Sequence, residues 1–355
     1  MQLINTPGCL PSILHRLRAK EQQLKQDPLR VEEKRFAMKS PLWLSQRRRS
    51  NSSLPTAWRA LFSTTACRCL AYLSCLALLT GGVAKLYAQQ PGNFARESLV
   101  AWCVVPFDAK KRSPAERAEM LSELGLKRLA YDWRDEHIET WDEEWRQLQE
   151  HDIELTAFWC SSSMDPASHP KNQLIFDFIK RNKIKTQLWI MLPENELAKI
   201  EDESQRLEKV VQAITGFAER AAELDCQVGI YNHGGWSGRP ATLLAIMQDL
   251  KDQKNTGLVY NFHHSHEDLD EFPEALGKML PHLLCVNLNG MTPGGPKIVP
   301  LGKGEMDAKI LSWVRDSGYA GPIGILDHRN ELDSKLSLQQ NLDGLEQLLK
   351  AEVEK

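Results

Sequence analysis

The sequence QVGIYNHGG at residues 227–235 joins a short apolar run to a pair of glycines, directly after the longest amphipathic segment of the chain. Helical periodicity followed by a buried run of strand length is typical of one helix–strand unit. The two glycines supply backbone freedom after the strand, and no Walker or Rossmann fingerprint accompanies them. The stretch predicts a buried strand whose carboxyl end carries Tyr231, Asn232 and His233.

The same unit recurs along the chain from residue 98 onward. Strand-like runs are found at residues 99–105, 128–133, 154–160, 186–192, 227–233, 257–262, 283–289 and 323–327, with helical stretches after each. Ser113 and Pro114 are typical of a helix start, and Gly125 and Gly318 of helix ends. Eight such units over about 250 residues predict an α/β protein with a (β/α)8 TIM barrel as one domain at residues 96–350.

The first 88 residues differ in charge from the rest. They hold 14 Lys and Arg against 4 Asp and Glu, whereas residues 89–355 hold 30 against 43, so the net charge of −3 is an average. An apolar run at residues 69–84 follows basic residues and precedes Ala88, which is the order of a secretory signal peptide. We expect a cleaved signal, or an uncleaved membrane anchor, and an exported protein. Met1 and Met38 both remain possible starts.

Four of the eight cysteines lie beyond this leader, and none of them forms a CxxC pair. Cys103, Cys160, Cys226 and Cys285 lie in apolar, strand-like segments. They are therefore predicted to be small buried residues.

Active sites of such barrels lie at the carboxyl ends of the strands, and here those ends are rich in His, Asn and Trp. Indole rings stack on sugar C–H faces, and amides pair with hydroxyls. The substrate-binding candidates are Asp132, Trp133, Trp159, Glu194, Tyr231, Asn232, Trp236, Asn261, Asn287, Asn289 and Asp327. The catalytic candidates are His233, His264, His328 and Lys303. A small carbohydrate is the expected ligand.

Residues 98–350 resemble the xylose isomerase-like TIM barrels, a superfamily of sugar and sugar phosphate isomerases and epimerases that also contains apurinic endonucleases. The resemblance rests on YNHGG at residues 231–235, NFHH at 261–264, PLGKGEMD at 300–307 and SGYAGPI at 317–323. It implies the barrel fold and a sugar-type substrate.

The resemblance also implies a divalent metal bound by Glu, Asp, His and Glu on strands five to eight, but this sequence departs from that pattern. The four positions carry Tyr231, Asn261, Asn287 and Leu326, or Asp327 if the alignment shifts by one at strand eight. A hard divalent cation needs several oxygen ligands, so no metal or other cofactor is expected. The family's metal-based mechanism does not transfer with the fold.

Three hypotheses remain open, and they leave undecided whether the protein is an enzyme. In the first, His233, His264 and His328 transfer protons on a ketosugar, and Lys303 or the asparagines hold the oxyanion. In the second, the pocket binds a carbohydrate without turnover. In the third, a different metal site is built from imidazoles, which come from His233, His263, His264, His266 and His328.

The sequence also argues against two classes of function and leaves one structural alternative open. The acidic body disfavours nucleic-acid binding, and the missing glycine-rich turn disfavours a dehydrogenase. A membrane is a partner only if the leader stays uncleaved. Alternatively, the histidines at residues 263–266 cap a helix starting near Glu267.

Overall fold

The computed structural model describes residues 92–353, and the predicted leader at residues 1–88 lies outside this part of the chain. No helix within the described range is long and apolar enough to cross a membrane. Two short 3-10 turns, Gly92–Phe94 and Arg96–Ser98, lead into the first strand.

Eight parallel strands form a closed barrel in residues 92–353, each paired with its neighbour in chain order and the last with the first. They are β1 Leu99–Trp102, β2 Arg128–Tyr131, β3 Glu154–Cys160, β4 Gln187–Met191, β5 Gln227–Tyr231, β6 Thr256–Asn261, β7 Leu283–Leu288 and β8 Ile323–Leu326. The predicted (β/α)8 TIM barrel is confirmed.

The helices connect the strands and cover the outside of the barrel. They are α1 Pro114–Glu123, α2 Trp141–Glu150, α3 Pro170–Asn182, α4 Glu194–Leu197, α5 Glu203–Ala222, α6 Gly235–Gly238, α7 Pro240–Asp249, α8 Phe272–Met279, α9 Asp307–Asp316 and α10 Ser334–Val353. Further 3-10 turns lie at Asp135–Thr140, Phe262–His264 and Leu280–His282. Because each crossover places a helix on the outside, both faces of every strand are buried.

The predicted helix ends are confirmed at α1. The Ser113 hydroxyl accepts a hydrogen bond from the Glu116 backbone N–H, and the Glu116 carboxylate accepts one from the Ser113 N–H at 2.9 Å. Gly125 follows this helix with a φ of 71°. Such a reciprocal cap satisfies two backbone donors that the first turn would otherwise leave without partners.

The alternative that histidines cap a helix starting near Glu267 is wrong. Residues 265–271 form turns, and α8 begins at Phe272, with Pro273 in its first turn. His263 instead belongs to the short turn directly after β6 and is buried. These imidazoles are therefore available to line the mouth of the barrel.

Alternating residues of the strands build two apolar layers. One layer fills the barrel interior, and it includes Val100, Trp102 and Leu326, whereas Leu99 and Ala101 pack outward against the helices. The four described cysteines, Cys103, Cys160, Cys226 and Cys285, are buried and unpaired, as the sequence predicts. The interior layer ends at the carboxyl ends of the strands, where it becomes the floor of a cavity.

Gly229 makes room for the Trp189 indole inside the barrel. A Cβ added at Gly229 would lie 2.8 Å from Trp189 Cδ1 and 2.6 Å from Val259 Cγ2. Both side chains are fully buried, so neither can move without disturbing the interior layer. The absence of a side chain at residue 229 is thus a packing requirement.

Gly229→Ala is expected to destabilise the fold by about 1–3 kcal/mol through overpacking, measured as the free energy of unfolding in urea. Gly277→Ala in α8 is the matched control. Its added Cβ meets nothing within 4 Å, and alanine favours a helix over glycine by about 1 kcal/mol. Equal stability of the two variants would contradict the packing role of Gly229.

Candidate functional site

A cavity of about 350 Å³ opens at the carboxyl ends of the strands. Most of its wall consists of residues that end a strand or closely follow one. The lining residues are Trp102, Cys103, Phe107, Asp132, Trp133, Arg134, Asp135, Trp159, Ser161, Lys171, Met191, Tyr231, Asn261, His233, His263, His264 and His328. This is the position at which TIM barrels carry their active sites.

Three aromatic rings, Trp102, Trp159 and Tyr231, form what we call the aromatic floor of the cavity. The centroid of the Trp102 ring lies 5.6 Å from that of Trp159 and 5.8 Å from that of Tyr231. Trp189 packs edge-on against Trp102 at 4.9 Å from inside the barrel. The Trp102 indole N–H donates to the Tyr231 hydroxyl at 3.1 Å, which fixes both rings. The cavity therefore offers a rigid apolar surface with polar groups around it.

Tyr231 of the aromatic floor lies at one of the four positions where the resemblance implies metal ligands, and Asn261, Asn287 and Leu326 lie at the other three. Tyr231 is buried, and burial raises the pKa of its phenol, so the hydroxyl stays protonated. The Tyr231 hydroxyl also accepts a hydrogen bond from the Asn261 amide. Asn287 is fully buried, and its amide oxygen accepts a hydrogen bond from the Cys285 thiol at 3.5 Å. Leu326 packs in the apolar interior. A phenol, two amides and an alkyl chain do not fit a hard divalent cation.

The register of β8 decides between Leu326 and Asp327. Leu326 pairs with Trp102 and belongs to the interior layer. Asp327 is fully buried, and its carboxylate accepts a hydrogen bond from the Ser337 hydroxyl of α10. Since successive strand residues face opposite sides, Asp327 lies outside the cavity wall and supplies no carboxylate to a metal there.

Four imidazoles lie together at the cavity mouth. The ring centroids of His233 and His264 are 4.1 Å apart, those of His263 and His264 4.5 Å, and those of His263 and His328 5.1 Å. His266 contacts the Lys297 carbonyl at 3.0 Å instead. No group of three or more His, Cys, Asp or Glu side chains between residues 92 and 353 has an arrangement that could hold a metal ion.

Burial and mutual proximity keep these imidazoles neutral. Desolvation, followed by the charges of His233 and His263, lowers the pKa of His264 to about 2. Desolvation and the Lys297 ammonium lower the pKa of His263 to about 3, and burial lowers the pKa of His328 as well. Neutral imidazole is a hydrogen-bond donor and acceptor, but it is a weak base at such a pKa.

Positive charge lies on the rim of the cavity. The Arg134 guanidinium stands 5.5 Å from the Phe107 ring and donates to the backbone carbonyls of Asp132 and Trp133, both at 2.8 Å. The Lys171 ammonium forms an ion pair with Asp135 at 2.5 Å. Arg134 is thus a cation next to the cavity without a carboxylate partner among the described residues.

Several predicted site residues lie elsewhere. Lys303 is exposed in the loop between β7 and α9 and does not line the cavity. The Glu194 carboxylate accepts from the backbone N–H groups of Trp236 and Ser237 at 2.9 and 3.0 Å, so it holds the start of α6. The Trp236 indole donates to Glu203 at 2.8 Å. The side chains of Glu194 and Trp236 therefore make hydrogen bonds within the protein and do not line the cavity.

The remaining asparagines support the loops. Asn232 donates to the Asn261 carbonyl at 3.2 Å and to the Ser265 hydroxyl at 2.8 Å, and Asn289 donates to the Gly290 carbonyl at 2.8 Å. Asp132, Trp133, Trp159, Tyr231, His233, Asn261, His264 and His328 are the predicted residues that the structure brings to one cavity. The cavity is also lined by four residues that were not predicted from the sequence: Trp102, Phe107, Arg134 and Lys171. Trp102 could have been found only if the end of the first strand had been placed three residues earlier.

Residues 118–348 match the family model of the xylose isomerase-like TIM barrel. The chain is similar in structure to 3-keto-D-glucoside 4-epimerase YcjR from E. coli, with a TM-score of 0.52, 13% identity, and coverage of 71% of this chain and 98% of that chain. No curated protein matches the sequence significantly.

Two further solved structures share the fold. The probable 3-DHS dehydratase AsbF from Bacillus anthracis has a TM-score of 0.54 and 14% identity, over 70% of this chain and 98% of its own. D-Psicose 3-epimerase from Clostridium cellulolyticum H10 has a TM-score of 0.50 and 15% identity, over 70% of this chain and 96% of its own. At such identities the likeness shows the fold alone.

The low pKa values of His263 and His264 can be measured directly. Between about pH 8 and pH 5 neither ring is expected to gain a proton, because each pKa is lowered well below the ordinary value of about 6.5. NMR titration of the two Cε1–H resonances, assigned with His263→Ala and His264→Ala, should show no step in this range. A step near pH 6.5 in either ring would contradict the burial argument.

Proposed function

The chain belongs to the xylose isomerase-like TIM barrel family, and on that premise we propose that its cavity binds a carbohydrate and moves a proton next to a carbonyl without a divalent metal. The substrate class is a ketosugar or a keto-glycoside. A cavity of about 350 Å³ lies in the size range of small-molecule sites.

The aromatic floor is the observation that carries this proposal. Trp159 is partly exposed to the cavity, and its ring lies 5.0 Å from that of Tyr231 in an edge-on arrangement. The apolar C–H face of a pyranose packs well on such an indole surface, and its hydroxyls need the polar groups that surround it. Two structural neighbours, a keto-glucoside epimerase and a psicose epimerase, support the choice of substrate class.

No cluster of His, Cys, Asp or Glu side chains that could hold a metal ion lies in residues 92–353. Other groups must therefore stabilise the transition state. Proton loss next to a carbonyl places negative charge on the carbonyl oxygen, and preorganised donors at that oxygen lower the barrier. His263 and His264 are neutral and line the cavity. Their N–H groups are therefore better suited to donate hydrogen bonds to the carbonyl oxygen than their rings are to gain or lose a proton. His233 and His328 complete the same wall.

Carbohydrate binding without turnover is the second candidate function. It is favoured by the lowered pKa of His264, since an imidazole that stays neutral at working pH does not carry a proton between two carbons. The two candidates differ in one observable. Proton exchange between substrate and solvent occurs in the first and not in the second.

Trp159→Ala is expected to weaken binding of D-psicose or of methyl 3-keto-α-D-glucopyranoside by about 2- to 12-fold, because an aromatic ring contact contributes about 0.5–1.5 kcal/mol. Isothermal titration calorimetry of the full chain measures this loss. Trp313→Ala is the matched control, since Trp313 is a half-buried indole on α9 that does not line the cavity.

Two results would count against the proposal. If Trp159→Ala and Trp313→Ala bind the sugar equally well, the aromatic floor is not the binding surface. If wild-type protein binds a sugar but exchanges no hydrogen with deuterated water, the function is binding and not turnover.

A further inference from the structure

Asp132 is a buried carboxyl group in the cavity wall. It follows β2 and is only 3% exposed. Its Oδ1 accepts a hydrogen bond from the Val105 backbone N–H at 3.2 Å, whereas its Oδ2 is buried with no hydrogen-bond partner in residues 92–353. Buried carboxylate oxygens normally have partners, so this atom is suited to a group that the substrate brings.

The backbone next to this carboxyl group is strained. Cys103 lies beside Asp132 and has a φ of 57°, in the left-handed region that non-glycine residues seldom adopt. Such a conformation costs about 1–3 kcal/mol and is found most often at functional sites. Burial raises the pKa of the Cys103 thiol, so this neighbour stays protonated and uncharged.

Two cations near Asp132 oppose the effect of burial. The exposed Arg134 guanidinium is the larger influence that lowers the pKa of Asp132, and the Arg117 guanidinium of α1, which is paired with Glu144 of α2 at 3.0 Å, also lowers it. Tyr131, directly before Asp132, is buried, and burial raises the pKa of its phenol, so it carries no charge. Burial is the largest influence on Asp132, and it raises the pKa to about 7.

The other cavity groups are less suited to carry a proton near neutral pH. Asp135 is exposed and paired with Lys171 at 2.5 Å, and His263 and His264 stay neutral. A general base works best when its pKa is close to the working pH. Asp132 combines such a pKa with a place in the cavity wall and a buried Oδ2, close to the Cys103 thiol, to which no protein donor in residues 92–353 is assigned.

We propose that Asp132 is the catalytic residue that removes and returns the substrate proton, while His263 and His264 donate hydrogen bonds to the carbonyl oxygen. This role rests on the proposed function. The C–H bond next to the carbonyl breaks, its proton joins Asp132 Oδ2, and its electron pair forms the enolate. The O–H bond of Asp132 then breaks, and the proton returns to the original carbon, which restores the carbonyl group. It returns to the former carbonyl carbon instead when the hydroxyl proton of the adjacent carbon passes to the former carbonyl oxygen, so that the adjacent carbon becomes the new carbonyl. The reaction is redox-neutral and needs no further reactant.

Asp132→Asn tests the assignment, because the amide keeps the acceptor for Val105 but cannot take up a proton. The assay is hydrogen exchange from deuterated water into D-psicose, D-tagatose and methyl 3-keto-α-D-glucopyranoside, followed by NMR on the full chain. We expect the exchange rate of Asp132→Asn to fall by about 100-fold or more, with sugar affinity changed less than threefold.

Asp327→Asn is the matched control. Asp327 is also buried with a pKa raised to about 7, but its carboxylate faces Ser337 and does not line the cavity. Because the ionised form of Asp132 is the base, wild-type exchange should rise with pH through about 7 and then level off. Asp327→Asn should keep this step, Asp132→Asn should lose it, and Asp132→Glu should keep it at a lower rate.

The possible outcomes separate the two proposals. Exchange by Asp132→Asn at the wild-type rate, or loss of the pH step in Asp327→Asn alone, overturns the role of Asp132 and leaves the proposed function intact. If Asp132→Asn does not fold, loss of the step in Asp132→Glu overturns the role, and retention supports it. A wild-type protein that exchanges none of the three sugars overturns the proposed proton transfer, and the role of Asp132 with it.

Discussion

The hydrogen bond from the Trp102 indole to the Tyr231 hydroxyl joins opposite parts of the barrel mouth and determines what the site can be. It holds two rings from β1 and β5 at the centre of the barrel, above Trp189. A buried indole N–H needs an acceptor, and here the Tyr231 hydroxyl oxygen supplies it. The two rings form an apolar surface at the carboxyl ends of the strands.

This floor explains the character of the groups around it. Burial removes from His263 and His264 the solvation that would stabilise a positive charge, and their pKa values fall. The same desolvation acts in the opposite direction on Asp132 and raises its pKa. One low-dielectric environment therefore yields neutral donors on one wall and a titratable acid on another, which is the division of roles that acid–base chemistry requires.

The fold could be predicted from the sequence because strands, helix caps and the glycines at helix ends are each signalled by a local sequence pattern. The capping residues at Ser113 and the apolar run of β5 carry this information within a few residues. The site was predicted less well, because it depends on contacts between distant segments. Glu194 occurs at a strand end but caps α6, and Lys303 lies away from the cavity. The pKa of a histidine depends on burial, which no spacing in the sequence reveals.

Our central proposal is that the four positions at which the resemblance implies metal ligands carry side chains that cannot bind a hard divalent cation. The most direct test is mass-spectrometric metal analysis of the full-length protein after dialysis against excess MnCl₂ and then metal-free buffer. The account predicts far less than one manganese ion per chain. A stoichiometric content of about one ion per chain, lost when Tyr231 or Asn261 is replaced by alanine, would contradict it.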